Sequence, residues 1–173
     1  MKAKTQVNKA TSLLQNFFET TLQELYWAET NLVAMFNTMS AVATNTELKE
    51  VFIEHMEETE KHKQRLEEVF TQLGIPPATQ PCLGLQGLFD EGWKVINETA
   101  EGSSQRDVAL IIEAQKVEHY EIATYGSLIT LARTMGEDKI ADLLTRTLNE
   151  EKETDEALTA IAETGINFEA TQE

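Results

Sequence analysis

Apolar residues recur at steps of three and four along most of the chain, the spacing of one face of an α-helix. The first stripe runs Leu14, Phe18, Leu22, Leu25, Leu32, Phe36, Met39, with Glu29 in its middle. The second runs Leu48, Phe52, His55, Glu58 or Thr59, His62, Leu66, Val69, Leu73, and its centre is polar over two turns. A shorter stripe follows, of Leu85, Leu88, Val95 and Ile96, with Glu91 between Leu88 and Val95. The fourth comprises Leu110, Ala114, Val117, Thr124, Leu128 and Leu131, and Glu121 falls on it. The fifth is Ile140, Leu144, Thr147, Glu151, Thr154 or Asp155, Leu158, Ile161.

Turn chemistry divides these stripes into helices. Thr11 or Ser12 can cap the first. Asn45 suits the N-cap of the second, and Thr44 with Glu47 fits a capping box. Gly74-Ile-Pro-Pro ends that helix, and residues 74–82 form a loop containing all three prolines. A short helix is expected from Leu83 to Glu98. Ser104 with Asp107 resembles a capping box for the fourth helix, and Gly136 separates the fourth from the fifth. Gly165 reads as the end of the fifth, and Gly126, mid-helix, as a close helix contact. There is no strand alternation and no glycine-rich phosphate loop. The pattern predicts an all-α four-helix bundle of two helical hairpins over residues 11–164, with a short helix in the crossover. Residues 1–10 and 165–173 read as flexible tails.

A core-facing carboxylate needs a cation, a proton or a hydrogen-bond network, because burying an unpaired charge is expensive. Glu29 and Glu58 lie equally far from the Thr44–Asn45 turn, and Glu121 and Glu151 equally far from Gly136. In antiparallel hairpins such pairs meet at one height, roughly 20 Å from the turn at about 1.5 Å per residue. Equal overlap of the hairpins brings all four carboxylates to one level, with Glu118 and His55 one turn away. A weak internal repeat has the same register: Trp27-Ala-Glu29 resembles Tyr120-Glu121, and Met56-Glu-Glu-Thr-Glu60 resembles Asn149-Glu-Glu-Lys-Glu153.

Composition narrows the chemistry. The 173 residues carry a formal net charge of −16, which argues against nucleic-acid binding and gives the four carboxylates few cationic partners. No apolar run approaches bilayer length, the basic N-terminus lacks a secretory apolar core, and Cys82 is the only cysteine. A cytoplasmic protein with no membrane partner is expected. Four carboxylates converging in a core repel, and one or two metal ions relieve this directly. Carboxylate-rich sites with some imidazole suit iron or manganese. Known dinuclear bundles use Glu-x-x-His on two helices. Here the second helix has His55-x-x-Glu58 and Glu58-x-x-x-His62, the fourth Glu118-x-x-Glu121, and the fifth Glu151-x-x-x-Asp155. His55 is a ligand or a partner of one, His62 reads as a polar rim residue, and His119 as a surface or supporting group. Tyr26, Tyr120 and Tyr125 can hydrogen-bond to carboxylates or simply pack, and Cys82 reads as an inert loop residue.

Leu25-Tyr-Trp-Ala-Glu29, His55-Met-Glu-Glu-Thr59, the stretch from Cys82 to Glu91, Lys116-Val-Glu-His-Tyr-Glu-Ile-Ala-Thr-Tyr-Gly126 and Leu148-Asn-Glu-Glu-Lys-Glu-Thr-Asp155 together resemble the bacterial YciE/YciF-type stress proteins. The resemblance covers residues 12–163. It implies a ferritin-like fold, a homodimer and a dinuclear metal site, with motif positions Glu29, His55, Glu58, Glu91, Glu118, Glu121, Glu151 and Asp155. The leading expectation is a stress-response protein with one or two iron or manganese ions that react with oxygen or peroxide. The alternatives are a non-enzymatic dimeric interaction protein and a peroxide-disproportionating enzyme like manganese catalase. A cage-forming iron store is disfavoured, because nothing marks assembly contacts. Whether the chain is an enzyme stays open at this point.

Overall fold

The structure is a computed structural model and describes residues 12–173; the tail expected over residues 1–10 lies outside them. Helices α1 (Leu13–Val42) and α2 (Thr46–Leu73) form one antiparallel hairpin, and α4 (Ser104–Met135) and α5 (Asp138–Ile161) the other. Helix α3 (Leu83–Glu98) lies in the crossover between them. The chain is all-helical over the described residues, as the periodicity predicts. None of these helices is long and apolar enough to cross a membrane.

The helix ends follow from local chemistry. The Ser12 side chain accepts from the Gln15 N–H and that of Asn45 from the Leu48 N–H. Gly74 and Gly136 end α2 and α4 at φ 72° and 81°, a left-handed conformation that suits glycine. Three local expectations change. Ser103, rather than Ser104, caps α4, accepting from the Arg106 N–H. Asp107 is no capping-box partner: its carboxylate accepts from the Thr44 and Asn45 N–H groups at 2.7 Å each, tying the two hairpins together. Gly126 has open space around it and makes no close contact, whereas a Cβ on Gly84 would sit 2.6 Å from Tyr120 Cε2.

The chain beyond Gly165 also departs from expectation. It continues through a π-helical turn (Ala162–Ile166), a short α-helical turn (Asn167–Glu169) and a 3₁₀ turn (Ala170–Gln172). Burial of Ile166 against the core explains why glycine does not stop it. The Glu173 carboxylate then accepts from the Ser104 and Gln105 N–H groups, satisfying two donors that the first turn of α4 leaves free.

The core is two apolar blocks with a polar layer between them. One block joins Leu32, Phe36, Leu48, Phe52, Leu85, Leu110 and Leu158; the other joins Phe18, Leu22, Leu66, Phe70, Leu128, Ile140 and Leu144. Every bundle helix crosses from one block to the other. The side chains at the crossing point are the interruptions seen in the stripes, so the apolar blocks hold polar groups in a dry slot between them.

Candidate metal centre

Six ionisable side chains fill the slot: Glu29 from α1, His55 and His62 from α2, Glu118 and Glu121 from α4, and Glu151 from α5. Each is 0–1 % exposed. His55 and His62 are seven residues apart, two helical turns, so they share a face. Glu118 and Glu121, three apart, do so on α4. Five of the six form two triads joined by Glu151, Glu29–His62–Glu151 and His55–Glu118–Glu151, and Glu121 is buried beside them. Within each, one ligand atom per residue lies within 4.8 Å of the others. His62 Nδ1 is 3.0 Å from Glu151 Oε1 and 3.6 Å from Glu29 Oε2. His55 Nε2 is 3.1 Å from Glu118 Oε1 and 3.6 Å from Glu151 Oε2.

Nine buried side-chain atoms in this cluster have no hydrogen-bond partner: Glu29 Oε2, His55 Nε2, His62 Nδ1, and both oxygens of Glu118, Glu121 and Glu151. Buried polar atoms are normally satisfied, so nine orphans in one slot require an explanation. Electrostatics agree. Burial drives the carboxyls of Glu29, Glu151 and Glu121 upward, and for Glu121 the neighbouring charges of Glu29, Glu151 and Glu118 push it well up. Burial alone would lower His55, but Glu118 raises it to about 10. Glu29 and Glu151 overcome burial at His62 in the same sense. Without a metal the cluster therefore holds extra protons.

The outward edges of both imidazoles are supported. His62 Nε2 lies 2.9 Å from Glu150 Oε2, and Arg65 grips both oxygens of Glu150 at 2.5 and 2.7 Å. Burial opposes ionisation of Glu150, yet the hydrogen bonds from His62 and Arg65 hold its carboxyl down at about 2. His55 Nδ1 lies 3.0 Å from Thr154 Oγ1 and 3.6 Å from Glu58 Oε2. Tyr125 donates a short hydrogen bond to Glu29 Oε1. Such partners fix which nitrogen is offered inward: Nδ1 for His62 and Nε2 for His55.

Of the eight motif positions, the structure brings together Glu29, His55, Glu118, Glu121 and Glu151. Glu58 is 34 % exposed and stands behind His55, outside the slot. It lies off the His55–His62 face, and the buried Thr59 takes the inward position. Glu91 is 55 % exposed on α3, paired with Lys116 at 2.9 Å. Asp155 faces outward and accepts from Gln115 at 3.1 Å, with His119 at 3.3 Å. His62 is the converse case: read as a rim residue, it is fully buried at the centre. Its seven-residue spacing from His55 was the available signal. Tyr125 takes the first of its two open roles, bonding to a carboxylate, and Thr154 rather than Asp155 takes the buried stripe position; Glu150 and Arg65 carried no comparable signal. Cys82 lies at the end of the loop, as read, and is buried there with its sulfur 3.2 Å from the Tyr120 hydroxyl.

Two imidazoles and four carboxylates around a dry slot fit divalent iron or manganese. Two divalent ions held by these residues would balance the charge of four carboxylates with both histidines neutral, and would give the unpaired atoms partners.

Comparison with known proteins gives a consistent picture. Residues 13–171 match the family described as Domain of unknown function (DUF892). The chain is 39 % identical over 158 residues to Protein YciF of Escherichia coli K12, covering 91 % of this chain and 95 % of that one. The crystal structure of the E. coli stress protein YciF superposes with a TM-score of 0.85 at 38 % identity, covering 90 % of this chain and 98 % of that one. YcfI from Rhodopseudomonas palustris gives 0.83 at 36 % identity, covering 88 % and 96 %. The dodecameric thioferritin of Bacteroides fragilis gives 0.65 at 19 % identity, covering 91 % and 93 %, a likeness of fold alone.

Proposed function

The chain belongs to the DUF892 family and is a homologue of the stress protein YciF, and on that premise we propose a stress-response protein with a dinuclear iron or manganese centre. One observation carries the reading: nine unpaired buried atoms on six residues, five of which form two triads that share Glu151. His62 Nδ1, Glu29 and Glu151 would hold one ion. His55 Nε2, Glu118 and Glu151 would hold the other, and Glu121, buried among the charges of Glu29, Glu118 and Glu151, would add a further carboxylate. The bound ions supply one-electron redox chemistry towards dioxygen or peroxide. The protein's own part is to exclude water, orient the imidazoles and manage protons. Glu150 keeps the proton of His62 on Nε2, and Glu58 and Thr154 do the same for His55 at Nδ1. The reading places the protein in the cytoplasm as a homodimer, in keeping with its resemblance to the YciE/YciF-type proteins.

The test is metal content. Protein purified without chelator, or reconstituted anaerobically, is expected to carry about two iron or manganese ions per chain. An empty chain after both treatments overturns the proposal. Rapid oxygen release from peroxide by the manganese-loaded protein would assign the catalase-like activity.

A second reading is supported by the upward shifts of Glu29, Glu121, Glu151, His55 and His62, through which the cluster can neutralise itself with protons. The centre is then a structural core of a dimeric interaction protein. That reading expects Gln at positions 29, 121 and 151 together to leave the melting temperature unchanged or higher, with no metal effect on the wild type.

A further inference from the structure

The six residues of the centre are sealed from solvent, so any co-reactant must pass between helices. The two sides of the bundle differ. On the α2–α5 side the nearest partly exposed groups are the carboxylates of Glu58 and Glu150, behind the two histidines. On the opposite side α3 lies across α1 and α4 and leaves a half-enclosed apolar hollow. Its walls include Leu32, Met35 and Phe36 of α1, Gly92 of α3 and Val117 of α4. Glu113 also borders it, but Lys116 holds both oxygens of that carboxylate at 2.8 and 3.0 Å.

We propose that this hollow is the route by which dioxygen reaches the centre. The inference rests on the metal-binding reading and deepens it by naming the oxidant. Its inner wall is Phe36, whose ring meets that of His55 edge-on with centroids 4.5 Å apart. Leu32 stands three residues after Glu29, and Val117 directly precedes Glu118, so the hollow lies within about one helical turn of both triads. Its free volume is about 10 Å³, the lower limit for one water-sized guest, and the flexible Met35 side chain on its wall can yield to a larger one. An apolar space takes up an apolar gas without losing hydrogen bonds. Peroxide would leave its donors and acceptors unpaired there. Gly92 keeps the space open: a Cβ at that position would lie 3.4 Å from Met35 Cε.

Xenon tests the hollow without any metal. In metal-free protein, xenon should produce saturable shifts of the Met35 methyl resonance, smaller in Gly92→Ala and absent in Gly92→Leu. With iron(II) loaded anaerobically, Gly92→Leu should oxidise about tenfold more slowly with dioxygen and at the wild-type rate with peroxide. Equal iron content and melting temperature qualify the variant, and Gly92→Ala, which adds one methyl at ordinary contact distance, gives a graded check if the larger change perturbs folding. A wild type without xenon shifts, or a plugged variant that binds iron and oxidises with dioxygen as fast as wild type, overturns the route. Equal slowing with both oxidants also overturns its selectivity for dioxygen. If the wild type binds xenon but no iron, the metal reading itself fails, and the access role falls with it.

Discussion

In the Glu29–His62–Glu151 half of the centre, the groups around the ligands are themselves tied down. Arg65 grips Glu150, Glu150 holds His62, and Tyr125 holds Glu29. In the His55–Glu118–Glu151 half the restraints are looser. His55 leans on a threonine hydroxyl and a partly exposed Glu58, and neither oxygen of Glu118 has a partner. Both halves draw on α2 and α5 and share Glu151, with α1 completing one and α4 the other. The difference lies in what stands behind the ligands, and such outer partners set ligand orientation and basicity. The clamped half should bind the first ion more tightly. The looser half has more freedom to adjust, and it borders Phe36 and the apolar hollow, where an oxidant would arrive.

The most severe way to break this asymmetry is to remove what the halves share. Glu151→Ala should abolish binding of both ions, seen as metal content falling to background by elemental analysis. Single-histidine variants should then separate the halves. His55→Ala is expected to keep about one ion and His62→Ala to bind weakly overall, since the loss falls on the pre-organised half. Equal loss of both ions in both variants would show that the halves do not act separately.

Changes behind the histidines sharpen the comparison further. Arg65→Met leaves every ligand in place but frees Glu150, and should weaken the His62 ion by about 10- to 100-fold. Glu58→Gln removes a half-exposed charge at 3.6 Å from His55 and should cost less than about tenfold, at the low end for such outer partners. Competition titration against a chelator of known affinity reads both. A larger effect from Glu58→Gln than from Arg65→Met would reverse the assignment of the clamped half.

How much of this was legible in the sequence depends on the kind of information each feature needs. Helix positions and turns came through, because period and capping residues are local: α3 was expected at Leu83–Glu98 and is found there. The height of Glu29, Glu121 and Glu151 came through by counting from the turns. Rotation about the helix axis was harder. Glu58 sits at the expected height but off the buried face, while His62, seven residues from His55, is on it. Glu91 lay on an apolar stripe, yet α3 packs outside the four-helix core and leaves that carboxylate to Lys116. Asp107 showed a local capping pattern but binds the turn between α1 and α2 in the other hairpin, a long-range contact that no local pattern encodes. The segment after Gly165 failed for a similar reason: Gly165 does not take the left-handed conformation that ends α2 at Gly74 and α4 at Gly136, and the chain beyond it buries Ile166.

The gentlest expected effect is on the metal-free protein, where protons take the place of ions. His55 is raised to about 10 in the fold, so its contribution to stability is complete below the unfolded value of about 6.5 and is lost as pH climbs towards the folded value. Glu121 is also raised, by burial first and then by its carboxylate neighbours. Its penalty begins as pH passes the unfolded value of about 4.3 and grows from there. Both therefore lower stability as pH rises from about 5 to 9. Glu150 and Glu58, held down rather than up, act below that window and do not offset the loss. Chelated protein should melt several degrees lower at pH 9 than at pH 6, since about 1 kcal/mol corresponds to 2–4 °C for a chain of this size. Glu121→Gln should flatten the profile, and added metal should reverse its slope, because ligands that must release protons bind more tightly as pH rises. A chelated wild type whose melting temperature rises across that window would mean that the four buried carboxylates are already ionised and paired, and the case for two ions would lose its electrostatic basis.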